Sequence, residues 1–215
     1  MKLTKTIQEA ISACASEEKK QLYPRFFKTG KGEYGEGDLF MGTTVPDLRK
    51  IAGEYWKIIS MEELQELLSS PYHECRSCAL LMLIQRFEKS TSAEDKNTIA
   101  GFYLENRRYI NNWDLVDVSC YKILGRYVYE NDLDELLLQL AETGNLWENR
   151  IAVVSTMYHV RKGSFDLMQK LVEKNLRHPH DLMHKANGWL LREMGKKSQK
   201  ALTDFLDRRA GDMPR

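Results

Sequence analysis

The sequence predicts an all-α fold, and three observations carry that expectation. Apolar residues recur at helical spacing through most of the 215 residues. No stretch shows the alternation of a half-buried strand, and no hairpin signal occurs. The helical segments also recur: those opening at Arg76, Asp117, Arg150 and Trp189 each set a polar or aromatic residue before an apolar run, with starts 41, 33 and 39 residues apart. Such spacing matches helix-pair repeats of the HEAT or armadillo kind, which run to ~40–47 residues in full form. The expected architecture is a HEAT-like helical-repeat solenoid, one domain over 1–215. Its inner helices line a concave groove that collects Arg76, Trp113, Asp117, Arg150 and Trp189.

Each element has its own signal. Leu3, Ile7, Ala10 and Ile11 share one face of a first helix. Ser16 and the glutamates after it open a second helix, 17–27, which Pro24 weakens by removing a hydrogen bond. Five of the thirteen glycines then fall between residues 30 and 42. Gly30, Gly32 and Gly35 satisfy G-x-G-x-x-G, but no strand precedes them, and Glu33, Glu36 and Asp38 would repel a pyrophosphate. This stretch is expected to be a structured loop covering a neighbouring helix pair. After Pro46, a favoured first helical residue, helices are expected near 46–58, 61–69, 73–88, 94–106, 113–129, 132–141, 146–160, 164–175, 179–193 and 197–208. Breaks are expected at Pro71, Asn111-Asn112, Gly144-Asn145, Lys162-Gly163, His178-Pro179 and Gly195.

Composition narrows the function. The chain is 42% hydrophobic and 29% charged, as expected of a globular domain. No apolar run approaches the ~20 residues that span a bilayer. Met1 to Glu18 lacks the apolar core of a signal peptide, so the cytoplasm is the expected compartment. Cys14, Cys75, Cys78 and Cys120 have no disulfide-framework spacing. Cys75 and Cys78 form C-x-x-C without a second pair and are expected in a core helix rather than on zinc. No metal site and no cofactor is expected. Net charge is only +1, but His159 to Lys200 holds ten Lys or Arg against four acids, a basic face able to meet phosphates.

The stretch Asn111-Asn112-Trp113-Asp114-Leu115-Val116-Asp117 carries the chemistry. On a helix, Trp113 and Asp117 project from one face, away from apolar Val116, Cys120, Ile123 and Leu124. In the expected groove they meet Arg150 and Trp189. A lone carboxylate between aromatic rings suits a developing positive charge. Arg150 suits a phosphate. Indole faces suit sugar C–H bonds and an oxocarbenium-like sugar. Together these describe cleavage of an N-glycosidic bond in a nucleic acid.

Phe26-Phe27-Lys28-Thr29-Gly30, residues 32–38, residues 111–117, Trp147-Glu148-Asn149-Arg150-Ile151-Ala152 and the stretches 180–186 and 188–193 together resemble the AlkD-type DNA alkylation repair family. The resemblance covers nearly the whole chain. It implies an all-α HEAT-like solenoid and excision of N3- or N7-alkylated purines from DNA. It implies Asp117 as catalytic carboxylate, Trp113 and Trp189 as groove tryptophans and Arg150 as groove arginine. Lys28, Lys185 and Arg192 are further candidates for the DNA backbone. The family usually continues past Arg215 into another helix, and some relatives bind DNA without excision.

An alkylated purine is already cationic and leaves without strong acid help. No lysine stands out as a Schiff-base nucleophile, so a monofunctional glycosylase acting as a monomer on double-stranded DNA is expected. The alternatives are a non-catalytic binder of damaged DNA and a protein-interaction scaffold. Salt-sensitive duplex binding separates the scaffold from the other two. Release of free base separates the enzyme from the binder.

Overall fold

The computed structural model describes residues 2–213; among them are fourteen α-helices, no β-strand and one isolated parallel bridge between Leu39 and Tyr72. The all-α expectation therefore holds. No described helix is long and apolar enough to cross a membrane. The chain divides into two compact units, Met1–Leu115 and Val116–Arg215.

The amino-terminal unit contains α1 (Leu3–Ala13), α2 (Glu17–Phe26), α3 (Val45–Tyr55), α4 (Met61–Leu68), α5 (His73–Lys89) and α6 (Ala93–Glu105), with a 3-10 turn at Arg107–Tyr109. Its hub is α5, which packs against α1, α3, α4 and α6 and buries thirteen of its seventeen residues. A helix apolar on nearly every side must be enclosed, and the run Cys75 to Phe87 is such a helix. Around it the helix starts are capped by side chains. Thr44 caps α3 ahead of Pro46, Ser60 and Glu63 form a reciprocal capping box on α4, and Ser92 caps α6.

The glycine-rich stretch between α2 and α3 is a structured loop, as expected, and it is strapped to α5. The Glu74 carboxylate accepts from the backbone N–H groups of Met41 at 3.0 Å, Gly42 at 2.7 Å and Thr43 at 3.3 Å. Leu39 donates its N–H to the Pro71 carbonyl, and its own carbonyl accepts from the His73 N–H. The loop is thereby fixed to the start of α5.

The unit boundary falls within α7 (Trp113–Ser119). The carboxy-terminal unit continues with a π-helical turn at Tyr121–Gly125, then α8 (Arg126–Glu130), α9 (Asp134–Leu140), α10 (Leu146–Ser155), α11 (Met157–Lys162), α12 (Asp166–Asn175), α13 (Asp181–Lys197) and α14 (Gln199–Arg209). Its hub is α10, which contacts α9, α11, α12, α13 and the π turn and buries every residue from Asn149 to Ser155.

Three boundaries differ from the sequence reading. The expected helix 113–129 is interrupted by the π turn, in which the Gly125 N–H reaches the Cys120 carbonyl at 2.8 Å. The expected helix 146–160 breaks at Thr156, whose hydroxyl bonds the Val153 carbonyl at 2.6 Å and competes with the helical ladder. Gly195 is not a break, since α13 runs through it to Lys197. A Cβ there would stand 2.6 Å from Leu202 Cδ2, so this glycine lets α14 lie close.

Gly125 has a stricter reason. A Cβ on it would meet the Ser155 carbonyl oxygen at 2.1 Å, and that obstacle is the backbone of α10. Gly125→Ala is therefore expected to destabilise by about 1–3 kcal/mol, the cost of overpacking. Gly53→Ala, in α3 with nothing near a new Cβ, should instead stabilise by about 0.5–1 kcal/mol through helix propensity. Denaturant midpoints of the two variants should move in opposite directions.

Candidate active site

In the carboxy-terminal unit the site is built around Arg150. The α10 helix starts at Asn145, whose side chain accepts from the N–H groups of Trp147 at 2.9 Å and Glu148 at 3.1 Å. This cap sets the helix that carries Arg150 inward, where the residue is only 4% exposed. Its guanidinium grips Asp117 bidentately, Nε to Oδ1 at 2.9 Å and Nη2 to Oδ2 at 2.7 Å. Its Nη1 donates to the carbonyl of Leu182, in the first turn of α13. One side chain thus ties α7, α10 and α13 together.

That geometry differs from a guanidinium held out to a phosphate. Arg150 is directed at Asp117, and its burial leaves it little surface for DNA. The physical reason is the cost of an unpaired charge in the interior. Asp117 keeps access to solvent, with 19% of its side chain exposed. Trp189 on α13 is half-buried. Cys120, fully buried one turn after Asp117, has its thiol pushed well above the ordinary range by burial and then by the Asp117 charge.

The amino-terminal unit holds a second cluster, built around Trp113 and His73. The Trp113 ring stacks on Phe27, centroids 5.8 Å apart, and meets Phe26 edge-on at 5.9 Å. Phe27 stacks in turn on Phe40 at 5.0 Å, and Phe40 on the His73 imidazole at 4.9 Å. The imidazole lies between two carboxylates, Nδ1 to Asp38 Oδ2 at 3.2 Å and Nε2 to Asp114 Oδ2 at 2.8 Å. Arg76 closes the chain, Nη2 to Asp38 Oδ1 at 2.6 Å, and also donates to the Ser70 carbonyl. Arg76 was expected to face a groove; it is 4% exposed and committed to Asp38.

Burial opposes charge on His73, but the Asp114 and Asp38 carboxylates outweigh it and raise its pKa to about 9. Burial alone would raise Asp38; its hydrogen bond to His73 and the Arg76 charge outweigh that and hold it below its ordinary value. His73 is therefore a buried imidazolium at neutral pH.

The remaining candidates lie on the surface. Lys28 is exposed just after α2, in a left-handed conformation with φ of 55°. Lys185 is exposed and paired with Asp181 at 2.8 Å, and Arg192 is exposed. Much of the basic stretch is partnered: Lys196 with Glu193, Lys200 with Asp204 and Arg177 with Asp212. His180 caps α13 through Nδ1, which accepts from the Leu182 N–H at 3.1 Å. Cys75 and Cys78 are fully buried on α5, with thiols raised by burial to about 11 and about 12. Among the described residues no cluster of metal-ligating side chains is found.

Sequence reading missed His73, Asp38 and Asp114. Their sequence separations of 35 and 41 residues give no local pattern. The available hint was a histidine between Tyr72 and Glu74 at the head of the most apolar helix.

The family model of DNA alkylation repair enzymes matches residues 7–215. The chain belongs to this family. A solved structure described as a predicted DNA alkylation repair enzyme from Enterococcus faecalis is similar over 90% of this chain and 89% of its own, with a TM-score of 0.69 at 18% identity. At that identity the likeness is one of fold. No match is found among curated proteins. Family membership gives a DNA-repair role and makes Asp117, in the motif that carried the resemblance, the residue to examine.

Two measurements follow. His73 binds its proton more tightly folded than unfolded, so its stabilisation is complete below pH 6.5 and is lost as pH rises to about 9. The denaturation midpoint should fall across that window, and His73→Gln should flatten the fall. Asp117→Ala should cost about 3–5 kcal/mol because it strands the Arg150 charge, whereas Asp117→Asn, which keeps an acceptor, should cost about 1–3 kcal/mol. Urea unfolding of the two variants tests the ranking.

Proposed function

We propose that this family member is a DNA glycosylase that hydrolyses the N-glycosidic bond of N3- or N7-alkylated purines. The observation that carries the reading is the Asp117 carboxylate, partly exposed yet fixed at both oxygens by a buried arginine. A carboxylate held in this way is preorganised, so it need not reorient as positive charge develops on the sugar.

The substrate supplies much of its own reactivity, because an alkylated purine already bears positive charge and departs as a neutral base. Asp117 then has two tasks: to stabilise the oxocarbenium-like sugar and to orient the attacking water. Arg150 acts as a positioning residue. Trp113 and Trp189, both half-buried, each offer an indole face to sugar and backbone. Lys28, Lys185 and Arg192 contact phosphates. The proposed enzyme is monofunctional, acts on double-stranded DNA as a monomer, and needs no cofactor.

One observation favours a competing reading. Both Asp117 oxygens accept from Arg150, as they would in a purely structural ion pair of a non-catalytic DNA binder. Asp117→Asn decides between them. Interactions present chiefly in the transition state raise rate more than affinity. Base release from N7-methylated duplex should fall by about 10²–10³-fold, as on loss of one preorganised electrostatic group. Duplex binding should persist. The assay is run well below the variant's unfolding midpoint. Release at the wild-type rate would assign Asp117 to the structure alone.

A further inference from the structure

Within the amino-terminal unit a cleft opens where the end of α3, the start of α4, the last turn of α5 and the first turns of α6 come together. Its volume is about 370 Å³, within the ~300–1,000 Å³ typical of ligand pockets. Trp56, Met61 and Ile99 supply apolar walls, and Arg86, Lys89 and Thr98 supply polar groups. The proposed hydrolysis uses none of these residues.

Arg86 is the member that calls for a partner. A guanidinium has five N–H donors and cannot shed its charge. The Arg86 Nε donates to the Trp56 carbonyl at 2.8 Å, and Nη2 donates to the Ile59 carbonyl. Among the described residues Nη1 finds only the Met61 thioether, a weak acceptor, at 3.3 Å. Arg76 and Arg150 each hold an aspartate. Among the described residues no carboxylate pairs with Arg86. Burial lowers its pKa below the ordinary value, with no counter-charge to offset it.

We propose that this cleft binds a small organic carboxylate with a compact apolar body. Three observations select such a ligand. Arg86 and Met61 both line the cleft, so an anion there replaces a thioether with a charge-assisted partner, roughly twice as strong as a neutral one. The charges also fit. The lining carries Arg86 and Lys89 against the Asp95 carboxylate, which accepts from the Ser90 hydroxyl at 3.2 Å, and this leaves one positive charge for a monoanion. The indole, the thioether and Ile99 then require a hydrocarbon part to cover them. A bare phosphate meets neither the charge balance nor the apolar walls.

The test is calorimetric titration of the full chain with phenylacetate and with its neutral counterpart, phenylacetamide. Acetate and inorganic phosphate serve as anions without an apolar body. Phenylacetate should bind saturably and about tenfold or more tighter than the amide, the scale of one hydrogen bond to a charged group. It should also bind tighter than either plain anion. Arg86→Gln should abolish the preference for acid over amide. Because Arg86 also holds two backbone carbonyls, a second variant is made at exposed Lys89. Lys89→Gln should weaken phenylacetate several-fold and leave the amide unchanged. Thr98→Phe, at an exposed position on α6, should fill the cleft and abolish binding of both. Absence of saturable binding, equal affinity for acid and amide, tighter binding of phosphate, or wild-type affinity in Thr98→Phe would overturn the proposal.

Discussion

A guanidinium that cannot be deprotonated lies almost wholly inside the carboxy-terminal unit, and the placement of its neighbours follows from that constraint. The Arg150 charge would be prohibitively costly without a carboxylate and further acceptors. Asp117 supplies the first and the Leu182 carbonyl the second. Arg150 and these two partners stand on three helices, so α7, α10 and α13 are held in one arrangement by a bond that tolerates little slack. A bidentate pair fixes angle as well as distance. The orientation of the Asp117 carboxylate is thus a by-product of neutralising Arg150.

The amino-terminal unit meets the same problem in a similar way. Arg76 lies near the start of its hub helix, as Arg150 lies near the start of α10, and both are 4% exposed. Each is neutralised by an aspartate brought from outside its own helix. The two positions head two of the recurring segments in the sequence. Repeated sequence here marks repeated burial of an arginine at a hub-helix start, followed by an apolar run that fills the core. In the amino-terminal unit the chain of charges extends further, to His73 and Asp114, and this extension sets the His73 imidazole against Phe40.

For a repair enzyme this has a consequence. The charge that would stabilise a sugar cation is the same charge that balances a buried arginine. Under the proposed function, removing it alters the reaction and the fold together, and the conservative Asn variant separates the two effects better than Ala does. The half-buried tryptophans carry no such double duty. The Trp113 ring keeps one side against Phe27, and Trp189 is half-buried on α13.

How much was legible beforehand follows from the range of each interaction. Helices and caps were readable because their causes lie within a few residues: Ser60 with Glu63, Pro46 after Thr44, the apolar run of α5; the glycine-rich loop was readable as a loop, but its strap is the Glu74 carboxylate, 31 to 33 residues along the chain. Trp113 and Asp117 stood out because one turn of helix relates them. The need for glycine at position 125 was not readable, since its reason is the α10 backbone at Ser155. Nor was the orientation of Arg150. Sequence marks a conspicuous arginine but not whether it faces phosphate or carboxylate, because that depends on burial. His73 between Asp38 and Asp114 is the extreme case, with partners 35 and 41 residues away and a proton held to about pH 9. The sequence by itself determined the helical class and the residues with chemistry to offer. The tertiary structure decided their pairing, because the cost of a buried charge is set by what surrounds it in space.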